Sequence, residues 1–96
     1  MDAIFTQHAM VRAQQRGVPP LISDLLIDYG SKYFDGHGGV VRYFTDKSIH
    51  NMEREVGKIM SKKMSEFRRC YLIQSSRDGI VITVGKRYTN KHIRRR

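Results

Sequence analysis

The sequence predicts an α+β domain, with two N-terminal helices packed on an antiparallel sheet of about four strands and an additional helix between its hairpins. Three observations carry that expectation. Residues 1–30 hold two short segments of helical character, each followed by a glycine. Two pairs of β-branched and aromatic runs follow, each pair joined across a glycine-containing turn. Finally, 96 residues of which 40% are hydrophobic suffice for one core, and one domain spanning residues 1–96 fits the usual range of about 50–250 residues.

Taken in order, Ala3-Ile4-Phe5 is short and suits an edge strand. Thr6 stands at a helix N-cap position, and Gln7 to Arg16 reads as the first helix, stopped by Gly17. Pro19-Pro20 suits the start of a second helix running to about Tyr29, with Leu21, Ile22, Leu25, Leu26 and Tyr29 as its apolar stripe, Asp24 and Asp28 outward, and Gly30 at its end. The period then changes. Lys32-Tyr33-Phe34 and Val40-Val41-Arg42-Tyr43-Phe44 flank Asp35-Gly36-His37-Gly38-Gly39, which predicts a hairpin. Thr45 or Ser48 suits the cap of a third helix reaching to about Met64, with Ile49, Met52, Val56, Ile59, Met60 and Met64 inward. Gly57 costs that helix about 1 kcal/mol relative to alanine. Cys70-Tyr71-Leu72-Ile73-Gln74 and Ile80-Val81-Ile82-Thr83-Val84, joined through Asp78-Gly79, predict a second hairpin. The last run shows little alternation, so a central strand is expected there.

Composition narrows the function. The chain carries 18 Lys and Arg against 9 Asp and Glu, a net charge of +9. Residues 1–31 hold only Arg12 and Arg16 against Asp2, Asp24 and Asp28, so the positive excess lies beyond them, most densely in a basic C-terminal tail over residues 86–96. Such a surface favours a polyanion, because each neutralised phosphate releases condensed counterions. No apolar run approaches the roughly 18 residues of a membrane span, and the tail shows no apolar helical face, so no membrane partner is expected. The start Met1-Asp2-Ala3-Ile4 has no basic and apolar leader pattern, which predicts a cytoplasmic protein. Cys70 is the single cysteine and reads as a buried strand residue; no His/Cys cluster has metal-ligand spacing, and no cofactor is expected. His37 and His50 read as exposed loop and helix-end residues, and Gly36-His37-Gly38-Gly39 is no nucleotide fingerprint because it joins two strands.

The first helix carries the pattern with most chemistry in it. His8, Arg12 and Arg16 lie at i, i+4 and i+8, within an arc of about 80°. Ala9, Ala13 and Met10 occupy the adjoining, inward-facing arc. A neutral imidazole accepts a proton, and fixed guanidinium groups stabilise developing charge on a phosphate. On spacing alone, an ordinary solvated basic edge is the better description of the same three residues.

The segment Thr6-Gln7-His8-Ala9-Met10-Val11-Arg12-Ala13-Gln14-Gln15-Arg16-Gly17-Val18 resembles the opening motif of small RelE-like domains of the barnase–EndoU–colicin–RelE superfamily. That motif reads Thr or Ser, any residue, His-Ala, an Arg four after the His, and Arg-Gly-Ile/Val. Ile80-Val81-Ile82-Thr83-Val84 is similar to the final strand of such domains, and the order helix, helix, antiparallel sheet is shared. The third helix is longer than that pattern leads one to expect. The resemblance implies metal-independent RNA cleavage by transesterification through a 2′,3′-cyclic phosphate. It makes His8, Arg12 and Arg16 catalytic candidates, with Tyr88 as a base-stacking or proton-donating group. Arg42, Lys86, Arg87, Lys91, His92 and Arg94 are the expected nucleic-acid-binding residues, and RNA and an acidic antitoxin or other inhibitory protein the expected partners. Two other readings stay open: a non-catalytic nucleic-acid-binding module, and a basic protein-interaction domain. A helix-turn-helix over residues 7–29 fits badly, because its second helix carries Asp24 and Asp28 and no basic residue.

Overall fold

Thr6 fixes where the fold begins. Its hydroxyl oxygen accepts the N–H of Ala9 at 3.0 Å, and its hydroxyl donates to the carbonyl of Ile82 at 3.2 Å. One side chain therefore caps helix α1 (Gln7–Arg16) and ties it to the last strand. The computed structural model describes residues 3–58 and 64–87. After α1 come α2 (Pro20–Tyr29), β1 (Ser31–Phe34), β2 (Gly39–Tyr43), α3 (Asp46–Val56), a 3-10 turn (Met64–Phe67), β3 (Cys70–Ser75) and β4 (Val81–Lys86).

Local chemistry sets the ends of these elements. Gly17 closes α1, its N–H reaching the carbonyls of Ala13 and Gln14, and Pro20 opens α2. In the first hairpin loop, Asp35 accepts the N–H groups of His37 at 2.6 Å and Gly39 at 2.9 Å, and these bonds hold its carboxyl below the usual carboxylate range. Thr45 and Ser48 both cap α3: the Ser48 N–H donates to Thr45 Oγ1 at 3.1 Å and the Thr45 N–H to Ser48 Oγ at 2.7 Å. The same helix stops earlier than expected. Gly57 takes φ 87°, outside helical space, and ends α3 at Val56 although apolar spacing continues to Met64. Ile59 and Met60, expected on its inner side, lie outside the described residues.

The strands pair antiparallel in chain order, β1-β2-β3-β4. Strand β4 is thus at the margin of the sheet, where a central strand was expected. Its apolar run is accounted for otherwise. The outer margin takes a parallel bridge from Phe5 to Val81, with the Val81 N–H donating to Ile4 at 2.8 Å and the Thr6 N–H to Val81 at 2.9 Å. The expected strand at Ala3–Phe5 reduces to that bridge, and α1 packs against β4. Val81 and Val84 are both buried as a result.

Cross-strand partners share a face of a sheet. Arg42, Leu72 and Val84 form one row, and the helices cover that side. Leu72, Val84 and Cys70 meet Ala9, Ile22, Leu26 and Met52 there in one hydrophobic core. Burial of side chains such as Ile22, Leu26 and Leu72 stabilises the fold by about 1.5–3 kcal/mol each. Two expected core positions fall outside it. Met10 is 55% exposed because it stands about 100° round the helix from Ala9, and Leu21 is 50% exposed in the first turn of α2, where Ser23 is buried instead. No helix among the described residues is long and apolar enough to cross a membrane.

The opposite face carries two rows. One is Ser31, Tyr43, Tyr71 and Gly85; the next is Tyr33, Val41, Ile73 and Thr83. None of these eight belongs to the core cluster.

Candidate functional site

The cap at Thr6 places His8 in the first turn of α1, beside β4. Its Nε2 lies 3.4 Å from Thr83 Oγ1, and the imidazole is otherwise exposed. Which of the two donates depends on the ring tautomer. Thr83 ends the row Tyr33–Val41–Ile73–Thr83, so His8 stands at the margin of the face away from the core. Arg12 follows one turn later on the same flank of α1. It is half-buried, and its Nε is buried with no hydrogen-bond partner among the described residues. Arg16, another turn on, is half-buried in the last turn, where a cation also complements the helix macrodipole.

Tyr71 joins this margin from the sheet. Its ring lies across Gly85: a Cβ there would fall 2.9 Å from both Cζ and Oη of the tyrosine. Gly85 and Thr83 are two residues apart on one face of β4, roughly 6.5 Å along the strand. A phenol and an imidazole therefore approach β4 at neighbouring positions. Further along the same row, Tyr43 meets Tyr33 edge to face, with ring centroids 5.7 Å apart and an interplanar angle of 67°. Sequence reasoning missed Tyr71, Tyr43 and Thr83. The signal for Tyr71 was Gly85, since a glycine inside a strand marks a close approach by another group, but the expected strand stopped at Val84.

The expected phosphate-binding residues divide. Arg42 faces the helices: its Nη2 donates to the Ile27 carbonyl at 2.6 Å, its Nε to Gln74 Oε1 at 3.0 Å, and its Nη1 reaches the Gly30 carbonyl at 3.5 Å. These bonds satisfy carbonyls at the C-terminus of α2, and burial pushes the guanidinium below its ordinary range while Asp28 acts the other way. Arg42 thus caps the C-terminus of α2, with its donors bonded inside the fold. Arg87 is half-buried, with Nη2 donating to the Phe44 carbonyl at 3.2 Å. Burial lowers its pKa most, Arg68 and Arg69 lower it further by repulsion, and Tyr43 opposes them. Lys86 pairs across the sheet with Cys70. Tyr88, Lys91, His92 and Arg94 lie outside the described residues.

Other features of the surface do not suit a phosphate. A hollow of about 300 Å³ between α2 and the second hairpin is lined by Asp24, Asp28 and Asp78, so it repels anions. A groove of about 510 Å³ on the other flank of α1, lined by Phe5, Met10, Val11 and Val18, is apolar and has no titratable side chain among its lining residues. His37 is exposed, and His50 is exposed with Nδ1 3.9 Å from Glu53. Among the described residues, no three His, Cys, Asp or Glu side chains are grouped to hold a metal ion. No family model, curated protein or solved structure matches the chain.

Proposed function

We propose that this protein is an RNA-directed endoribonuclease of the RelE-like type. The observation that carries the reading is the meeting of His8 with Thr83 at the margin of the sheet face opposite the helices, with Arg12 on the same flank of α1. In the proposed reaction the 2′-hydroxyl loses its proton to a base and attacks the adjacent phosphorus. The 5′-oxygen of the next nucleotide departs with a proton, leaving a 2′,3′-cyclic phosphate and a 5′-hydroxyl. His8 is the base in this scheme, Tyr71 or Tyr88 the candidate acid, and Arg12 and Arg16 the charges that stabilise the pentacoordinate phosphorane. The net charge of +9 supports a polyanionic substrate. An acidic inhibitory protein, as in toxin–antitoxin pairs, is the partner this reading proposes, and a cytoplasmic location goes with it.

The test is to incubate purified protein with mixed RNA and EDTA and to analyse the product ends. Cyclic phosphates and 5′-hydroxyls are expected, and Arg12→Ala should slow their release roughly a hundredfold. RNA that stays intact under these conditions would leave the non-catalytic binding reading in its place.

A further inference from the structure

We infer that the tyrosine-bearing face of the sheet is a binding site for unpaired nucleotides, with Tyr71 and Tyr43 stacking on bases and Arg68 and Arg69 contacting the adjoining phosphates. The inference rests on the RNA reading above and adds to it the strand state of the ligand and the residues that hold it.

The site is built from register. Tyr43 and Tyr71 are direct cross-strand partners, so their side chains leave neighbouring strands on one face. Both are half-buried, and neither belongs to the core cluster on the far side. Two aromatic rings side by side on a sheet can receive bases that are not already stacked in a duplex, because stacking needs a free π face on each partner. Gly85 completes the row, and its missing side chain is what leaves room for the Tyr71 ring over β4, the strand beside which His8 stands.

Positive charge is concentrated at this end of the sheet. Arg68 and Arg69 precede β3, Arg87 follows β4, and the Arg87 N–H donates to the Arg69 carbonyl at 2.9 Å. That bond, with Cys70 paired to Lys86 and Tyr43 to Tyr71, sets Arg69, Arg87 and Tyr43 at the same end of the sheet. Arg69 is exposed, and Arg68 is bonded to Asp46, a carboxylate that is itself 95% exposed. An incoming phosphate can replace such a solvated partner at little cost, since exposed ion pairs are weak. The acidic hollow of Asp24, Asp28 and Asp78 is lined by other elements, so the charge distribution favours this end for a polyanion.

The experiment uses the full chain and a 2′-O-methyl oligonucleotide of about eight residues, long enough for such a site and unable to undergo 2′-hydroxyl attack. Because the chain has five tyrosines and no tryptophan, binding is read from quenching of tyrosine fluorescence. Quenching by the single strand, at least tenfold weaker binding of the matching duplex, and a roughly tenfold loss of affinity in Tyr71→Ala with recovery in Tyr71→Phe would support the inference. Unquenched tyrosines in a saturated complex would overturn it without any variant. Equal affinity for duplex and single strand, or unchanged affinity in a folded Tyr43→Ala/Tyr71→Ala double variant, would also overturn it. The two readings fail separately. Stacking without cleavage of natural RNA removes the nuclease and keeps this site, and cleavage without tyrosine quenching does the reverse.

Discussion

Cys70 has no measurable exposure, and burial pushes its thiol up to about 11, against a smaller opposite effect from Lys86. At neutral pH the group is therefore a protonated, shielded part of the core. The native protein should leave a chromogenic disulfide reagent unreacted at pH 7, with full reaction on adding denaturant; rapid reaction of folded protein would contradict this burial. The sign of the pH effect follows from linkage. The folded value lies above the unfolded one near 9, so the unfolded chain releases the proton first. The stabilisation is complete below about pH 9 and is lost as the pH rises toward about 11. Urea midpoints for Cys70→Ala should accordingly fall less steeply over that interval than those of the parent.

Single residues also explain what the sequence made legible. Thr6, Gly17, Pro20, Gly30 and the Thr45/Ser48 pair mark ends of elements through their own backbone or side-chain chemistry, and the structure uses each of them. Arg42 was legible only as a charge. Nothing local reveals that its guanidinium turns toward the Ile27 and Gly30 carbonyls, because that contact joins residues more than ten positions apart.

Among the elements, α3 offers the most direct test of local design. Its reciprocal cap is held by two short side chains, and Ser48 is also buried. Thr45→Ala should destabilise the protein by about 1 kcal/mol, read as a shift in the urea midpoint at constant slope. Thr45→Ala/Ser48→Ala should cost less than the sum of the single changes, since the first turn frays once either bond is lost and leaves less for the other to hold. Additive costs would show that the two bonds act independently. The other end of α3 was not legible from periodicity, which runs on through Gly57; the positive φ there breaks the helix after Val56. Strand β4 teaches the same lesson. An unbroken apolar run records that a strand is covered, but the cover here is α1 and the Phe5 bridge, so the run did not reveal that β4 is marginal. The pairing of Tyr71 with Gly85 lay beyond reach for a related reason, since it depends on where β4 ends and on the register shift between Ile73 and Gln74.

On the scale of the whole molecule, the sheet separates two kinds of surface. One face is closed by helices over an apolar core, and the other carries tyrosines from three strands, bordered by His8 on α1 and by the arginines around Arg69 and Arg87. The α+β class and the order of its elements were legible because each element has its own local signal. The candidate site was legible only in part. His8, Arg12 and Arg16 share a helix edge that spacing displays, whereas Thr83 and Tyr71 reach that edge through cross-strand register alone. The central claim is that His8 acts as a base on RNA held at this margin. It is tested most directly by single-turnover cleavage of one RNA in EDTA by the parent and by His8→Ala, with both shown to be folded by circular dichroism. The account predicts cyclic-phosphate products from the parent and a rate lower by roughly a hundredfold or more for His8→Ala. Cleavage by His8→Ala at the parental rate would contradict it.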